Sequence, residues 1–244
     1  MRNDAPVDPL DGIDLLIFDK DGTLIEFHLM WGGWLDTLAG RLDAATGLSL
    51  KEVLYPLLGV DRRTGIVHAH GLLAATPMSR IREVVQAYVG EAGASPAVAR
   101  DAVASAWHAP DPVALAQPVT DLAALLGRLR TRVGTLAEAT SDDRDPTERT
   151  LEALGVTAEF AAITCADDGI RTKPAPDPVL HICGTLGIAP ARTAVVGDSP
   201  ADLLMGRAAG VARSIGVLTG VGDRASLEPF ADLVLGSIAE LAPA

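Results

Sequence analysis

Aromatic side chains are scarce in this chain, 4% of 244 residues, and there are only two cysteines. The first shortage means that a core must be built from aliphatic residues, which is feasible because 48% of the chain is hydrophobic. The second excludes a disulfide framework, and Cys165 and Cys183 have neither metal-ligand spacing nor a neighbouring His and Asn arrangement; they read as buried free thiols. Lysine stands only at positions 20, 51 and 173. A basic excess is missing altogether: the formal net charge is -12, which argues against nucleic acid and anionic membrane surfaces as partners. No stretch approaches the length of apolar sequence that spans a bilayer, and the N-terminal residues form no apolar signal core. A soluble, cytoplasmic protein is expected. A small anionic substrate stays open, provided that a local positive site is set into the acidic body.

What is present is organised around Ile13-Asp-Leu-Leu-Ile-Phe-Asp19-Lys-Asp21-Gly-Thr23-Leu24. The run is apolar at alternate and intervening positions alike, the pattern of a central parallel strand covered on both faces. It ends in two carboxylates and a glycine. Open α/β sheets bind ligands outside the carboxyl ends of their strands, so Asp19 is placed where chemistry is expected, and Gly22 lets the chain turn away.

After Leu24 the periodicity becomes helical for about ninety residues. Trp34, Leu35, Leu38 and Leu42 mark one helix. Ser49-Leu-Lys-Glu52 fits a capping box before Val53, Leu54 and Leu57, with Gly59 as the stop. Thr76-Pro77 and Ser95-Pro96 each read as an N-cap followed by proline at the first helical position. No strand is expected between Glu26 and Pro118. From Thr120 onward strand and helix alternate: a helix through Leu122 to Leu129, strands at Val133–Thr140, Ala162–Cys165, Thr193–Val196, Val211–Val217 and Leu233–Leu235, with helices at about Pro146–Leu154, Pro178–Leu186 and Pro200–Ala209. Such units imply a doubly wound parallel-sheet, Rossmann-like core of the α/β class. The domain expectation is a core of residues 1–26 and 118–244 interrupted by an inserted all-helical domain, 27–117.

Four strand tips carry polar residues directly after apolar runs: Asp19 with Asp21, Thr140 with Ser141, the loop bearing Lys173-Pro174, and Gly197-Asp198-Ser-Pro-Ala-Asp202. Each has an ordinary alternative as a cap or a solvated loop residue, but their order and setting converge on one crevice. The set resembles the haloacid dehalogenase superfamily of phosphotransferases. Asp19 to Thr23 matches that family's Asp-x-Asp-Gly-Thr motif, Thr140 its strand-ending Thr or Ser, Lys173-Pro174 its lysine, and Gly197 to Asp202 its Gly-Asp-Ser-x-x-Asp. The position of the helical insertion is similar to the subgroup with a helical cap, and Lys173-Pro-Ala-Pro-Asp177 and Gly206-Arg-Ala-Ala-Gly210 are similar to its phosphoglycolate-phosphatase-like members.

The resemblance implies a Mg²⁺-dependent phosphatase of small phosphorylated metabolites, monomeric or homodimeric, with phosphoglycolate or a sugar phosphate as first candidates. Asp19 would be the nucleophile. Asp21 would protonate the leaving alkoxide and later activate water, a role that favours phosphoryl transfer over dehalogenation. Mg²⁺ would be held by the carboxylates of Asp19 and Asp198 and the backbone carbonyl of Asp21, with Asp202 orienting the site from behind. Lys173 would neutralise nucleophile and phosphoryl charge, and Thr140, Ser141 and Lys173 would bind phosphoryl oxygens. A phosphomutase on the same core and a non-catalytic phospholigand-binding protein are the alternatives.

Two residues depart from that pattern. Lys20 stands where an apolar residue is common and is expected to point to the other side of the chain. Glu138 interrupts a strand that should be apolar; it requires a partly solvated face, an Arg partner or a retained proton. In the helical insertion, Trp31, Arg62, Arg63, His68 and His70 are candidate substrate contacts. Trp31 and Trp34 read more readily as anchors of their helix.

Overall fold

The computed structural model describes residues 8–68, 71–76, 78–108, 111 and 113–242. In chain order the elements are β1 (Leu15–Phe18), α1 (Phe27–Thr46), α2 (Lys51–Leu58), α3 (Leu72–Ala75), α4 (Met78–Glu91), α5 (Pro96–Ala106), α6 (Leu122–Val133), β2 (Thr135–Ala139), α7 (Arg144–Ala153), β3 (Ala162–Thr164), α8 (Asp177–Leu186), β4 (Thr193–Gly197), α9 (Pro200–Ala209), β5 (Arg213–Val217), α10 (Arg224–Leu227) and β6 (Leu233–Leu235). Of the described residues, those up to Phe27 and from Ala116 onward form one compact unit, and His28–Leu115 form a second.

The first unit is a six-stranded sheet in the order β3-β2-β1-β4-β5-β6, with every pairing parallel. All four residues of β1 are buried, as a strand covered on both faces requires. Leu16, Phe18, Leu136, Val196 and Ile215 point to one face and pack with Leu122, Leu125, Leu126 and Leu129 of α6. Leu15, Ile17, Ala137 and Val195 point to the other and meet Val179 and Ile182 of α8 and Met205 of α9. From β1 the chain builds outward through β2 and β3 on one side and through β4 to β6 on the other. The switch point therefore lies between β1 and β4, where open α/β sheets form their binding crevice.

Local signals account for most boundaries in this unit. Ser199 caps α9 in a reciprocal capping box with Asp202, and Asp121 caps α6 by accepting from the Ala124 N–H. The strand expected from Val133 begins later, because Val133 closes the last turn of α6, buried in the core, and Gly134 ends the helix. The strand expected from Val211 likewise starts at Arg213.

The second unit contains α1 to α5 and, among the described residues, no strand beyond an isolated bridge between Val60 and Val67. Its centre is Trp34, fully buried, with the rings of Trp31 and Trp107 packed edge-on at 5.7 and 5.5 Å; the Trp34 Nε1–H donates to the His108 carbonyl at 2.9 Å. Ser95 caps α5 by accepting from the Val98 N–H. The capping box at Ser49 and Glu52 does not form: Leu50 is the N-cap residue, and the Asp43 carboxylate of α1 accepts its N–H at 2.7 Å. A tertiary partner has replaced the local one. Thr76 is described, but Pro77, its expected partner in starting α4, lies outside the described residues.

Candidate active site

β1 delivers Asp19 to the switch point, and the Asp19 N–H donates to the Val196 carbonyl of β4, extending the sheet pairing by one residue. Beyond it the chain turns at Gly22, whose φ of +86° suits glycine. Space makes the same demand: a Cβ there would lie 2.6 Å from Asp198 Oδ2. β4 delivers Asp198, 3% exposed. The Asp19, Asp198 and Asp202 carboxylates present oxygens within 4.8 Å of one another.

One cation meets this cluster. Lys173 Nζ lies 2.5 Å from Asp19 Oδ1 and 2.6 Å from Asp202 Oδ1. Burial pushes its pKa down, but the charges of Asp19 and Asp202 outweigh that, so the ammonium is held above its ordinary value. Asp202 is occupied on its other oxygen too, accepting from the Ser199 N–H at 3.0 Å and the Ser199 hydroxyl at 2.6 Å. Asp198 Oδ2 accepts from the Val221 N–H at 2.7 Å.

Three carboxylates against one ammonium leave the cluster short of positive charge. Burial raises the Asp19 pKa to about 6, opposed by Lys173 and reinforced by Asp202 and Asp21. Burial also raises Asp198 well above its usual value, with Asp19 and Asp202 adding to the effect. A buried site of hard oxygen donors with uncompensated negative charge fits a divalent cation that prefers oxygen ligands.

The other expected residues surround this centre. Asp21 turns its carboxyl toward Lys20, at 3.3 Å, and burial raises its pKa, with Lys20 opposing. Thr140, 6% exposed, directly follows β2; its N–H donates to the Thr164 carbonyl and its hydroxyl accepts from the Asp142 N–H at 3.1 Å. Ser141 is exposed in the same loop.

Lys20 is 2% exposed, bonded to Asp142 Oδ2 at 2.6 Å. Glu138 is fully buried, which removes the solvated-face account of it, and among the described residues neither carboxyl oxygen has a hydrogen-bond partner. Burial pushes its pKa up to about 8, with the Lys20 charge opposing. Among the described residues no Arg partner is found and the cation acting on it is lysine, which leaves the retained proton as the account that the buried, unpaired carboxyl favours.

Sequence reasoning missed the loop after β5. There the Thr219 hydroxyl donates to the Gly22 carbonyl at 2.6 Å, the Val221 N–H holds Asp198, and a Cβ on Gly220 would fall inside the Asp198 carboxylate. Thr219-Gly-Val-Gly222 is a glycine-rich stretch at a strand tip beside two other candidate tips, and that was the available signal. Asp142 was missed as well, though an acidic residue two places beyond Thr140 is a natural partner for an unexplained lysine. In the second unit, Arg62 pairs with Glu52, Arg63 and His68 are exposed, Trp31 packs on Trp34, and His70 lies outside the described residues.

Residues 13–210 match the family model of the haloacid dehalogenase-like hydrolases. The chain belongs to that family. A phosphoglycolate phosphatase of Rhodospirillum rubrum is 30% identical over 200 residues, covering 80% of this chain and 76% of that protein. Another, of Agrobacterium fabrum, is 31% identical over 233 residues, covering 94% and 91%. These relatives place this haloacid dehalogenase-like hydrolase among the phosphoric monoester hydrolases of its family. A HAD-family hydrolase from Deinococcus radiodurans, solved with bound phosphate and sodium, shares the fold with a TM-score of 0.65 at 24% identity, covering 96% of this chain and 94% of that one. No helix among the described residues is long and apolar enough to cross a membrane.

Proposed function

We propose that the hydrolase is a Mg²⁺-dependent phosphatase of small phosphomonoesters that works through an aspartyl-phosphate on Asp19, with phosphoglycolate as the first substrate to test. The observation that carries the reading is the Lys173 ammonium bridging Asp19 and Asp202 inside a buried carboxylate cluster that still lacks positive charge. The phosphoglycolate phosphatases at 30 and 31% identity support the substrate class.

Asp19 and Asp198 would hold the metal by their carboxylates and Asp21 by its backbone carbonyl. When bound, Mg²⁺ supplies charge neutralisation between the carboxylates and a phosphate dianion. An Asp19 oxygen attacks phosphorus while the bond to the alcohol oxygen breaks, and the Asp21 carboxyl gives that oxygen its proton. The Asp21 carboxylate then takes a proton from water, which attacks phosphorus and breaks the bond to Asp19, releasing inorganic phosphate. Lys173 holds the nucleophile and offsets charge on the phosphoryl oxygens. Thr140 and Ser141 bind those oxygens at the start of α7. Asp202, fixed by Ser199, anchors Lys173 and the rear of the metal site.

The test is inorganic phosphate release from p-nitrophenyl phosphate, phosphoglycolate and sugar phosphates, with Mg²⁺ or EDTA, by wild type and Asp19→Asn. The reading expects Mg²⁺-dependent release that the substitution abolishes. Turnover that requires a bisphosphate and frees no phosphate would select a mutase instead, and a folded, Mg²⁺-loaded wild type no faster than the variant would remove the phosphatase reading for that panel.

A further inference from the structure

Lys20 has no part in the chemistry above, yet its side chain is almost completely buried beside the site, 2% exposed. An ammonium in that position costs several kcal/mol unless paired. Two carboxylates face it, Asp142 Oδ2 at 2.6 Å and Asp21 Oδ2 at 3.3 Å; burial pushes its pKa down, but their charges outweigh that and hold the ammonium above its ordinary value. Its backbone is equally engaged, since the Lys20 carbonyl accepts from the N–H groups of Thr23, Leu24 and Ile25.

Asp142 is itself fixed. Its N–H donates to the Thr140 hydroxyl and its carbonyl accepts from the Ala166 N–H at 2.9 Å. The ammonium therefore ties the loop after β1 to the loop after β2. On the Asp21 carboxyl this leaves the two oxygens unequal. Oδ2 is drawn to Lys20, whereas Oδ1 is buried and, among the described residues, takes no hydrogen bond.

We propose that Lys20, anchored by Asp142, is a positioning residue that holds Asp21 by one oxygen so that the other is presented to the leaving alcohol. The inference rests on the acid role given to Asp21 under the proposed function. Its physical basis is that a proton donor free to rotate among several rotamers spends little time within hydrogen-bond reach of the leaving oxygen, and a misplacement of about 1 Å costs up to about a hundredfold in rate.

The experiment compares kcat/KM for phosphoglycolate, whose alkoxide must be protonated to leave, with that for p-nitrophenyl phosphate, whose phenolate leaves unaided. On the covalent route this parameter ends at departure of the alcohol, so the later water step does not enter. The enzymes are Mg²⁺-loaded wild type, Lys20→Met, Asp142→Ala and Asp21→Asn, each checked for folding by circular dichroism. Asp21→Asn should lose about a hundredfold or more on the alkyl ester and much less on the aryl ester. Lys20→Met should lose about tenfold or more on the first and under about threefold on the second, and Asp142→Ala should follow in the same direction by less. Should Lys20→Met fail to fold, Asp142→Ala decides alone, because its side chain is partly exposed. Equal losses on both esters, or none, in the Lys20 and Asp142 variants while Asp21→Asn discriminates would overturn the positioning role alone. Equal losses in Asp21→Asn would overturn the acid role, and this inference with it.

Discussion

The two units of the chain use charged and aromatic residues in opposite ways. In the sheet unit, carboxylates are buried at strand tips with one ammonium too few, and the Asp19, Asp21 and Asp198 carboxyls are all displaced above their ordinary range. That arrangement opposes stability, and it is the kind of cost that accumulates where a fold carries chemistry. In the helical unit charged groups pair near the surface: Arg62 pairs with Glu52, and Asp36 takes both Lys51 and the Tyr55 hydroxyl. Its aromatics fill its centre. One unit stores unmet charge in its interior, and the other packs its interior with rings and aliphatic side chains.

Substitutions in the two units should therefore fail differently. Asp19→Asn should lower turnover by about 10⁴-fold or more, while its melting temperature stays at or above that of wild type measured in EDTA, because a desolvated carboxyl has been removed from a crowded cluster. In the helical unit, Trp34→Ala should cost about 3–5 kcal/mol of unfolding free energy through the cavity left by a fully buried ring, read from denaturant midpoints. A variant of Trp34 as stable as wild type would break the comparison.

A smaller effect sharpens it at the proposed metal site. Gly220→Ala places a methyl group in the Asp198 carboxylate, so Mg²⁺ affinity measured by calorimetry should fall about 10- to 100-fold, with the sheet retained by circular dichroism. Unchanged affinity would mean that the loop after β5 does not fix Asp198.

The smallest expected effect concerns Glu138. Its carboxyl is pushed up to about 8 in the folded chain, against about 4.3 in an unfolded one. Between those values the native state keeps a proton that the unfolded state has released, so unfolding free energy falls as pH rises across that window and levels off above it. Glu138→Gln cannot release a proton. Its stability should decline less between pH 5 and 8, by about 1–3 kcal/mol relative to wild type, as followed by denaturant melts at each pH. Parallel profiles would show that Glu138 is ionised throughout.

How much was legible follows the same division. β1, with its apolar run ending at Asp19, and the alternation after Thr120 could be read directly, because a doubly covered parallel strand and its helices leave a periodic trace. What escaped was decided by tertiary partners. Asp43 displaced the Ser49 capping box, and Val133 was claimed by the helix before the strand. Lys20 is held by Asp142, 122 positions away, and Val221 reaches Asp198 across 23. Contacts of that range leave only indirect traces, such as the glycines at the β5 tip and an acidic residue just beyond Thr140. Glu138 was conspicuous as an exception, but its environment could not be derived from the strand alone.

The central claim is a covalent phosphoryl group on Asp19, and the most direct measurement uses Asp21→Asn with p-nitrophenyl phosphate and Mg²⁺. The phenolate needs no acid to depart, whereas hydrolysis of the aspartyl-phosphate has lost its base, so the intermediate should accumulate. Rapid mixing should give a burst of one equivalent of nitrophenolate per enzyme, and acid-quenched protein should carry one phosphoryl group on the peptide containing Asp19. Steady release of nitrophenolate without a burst, from an enzyme whose mass does not change during turnover, would contradict the account.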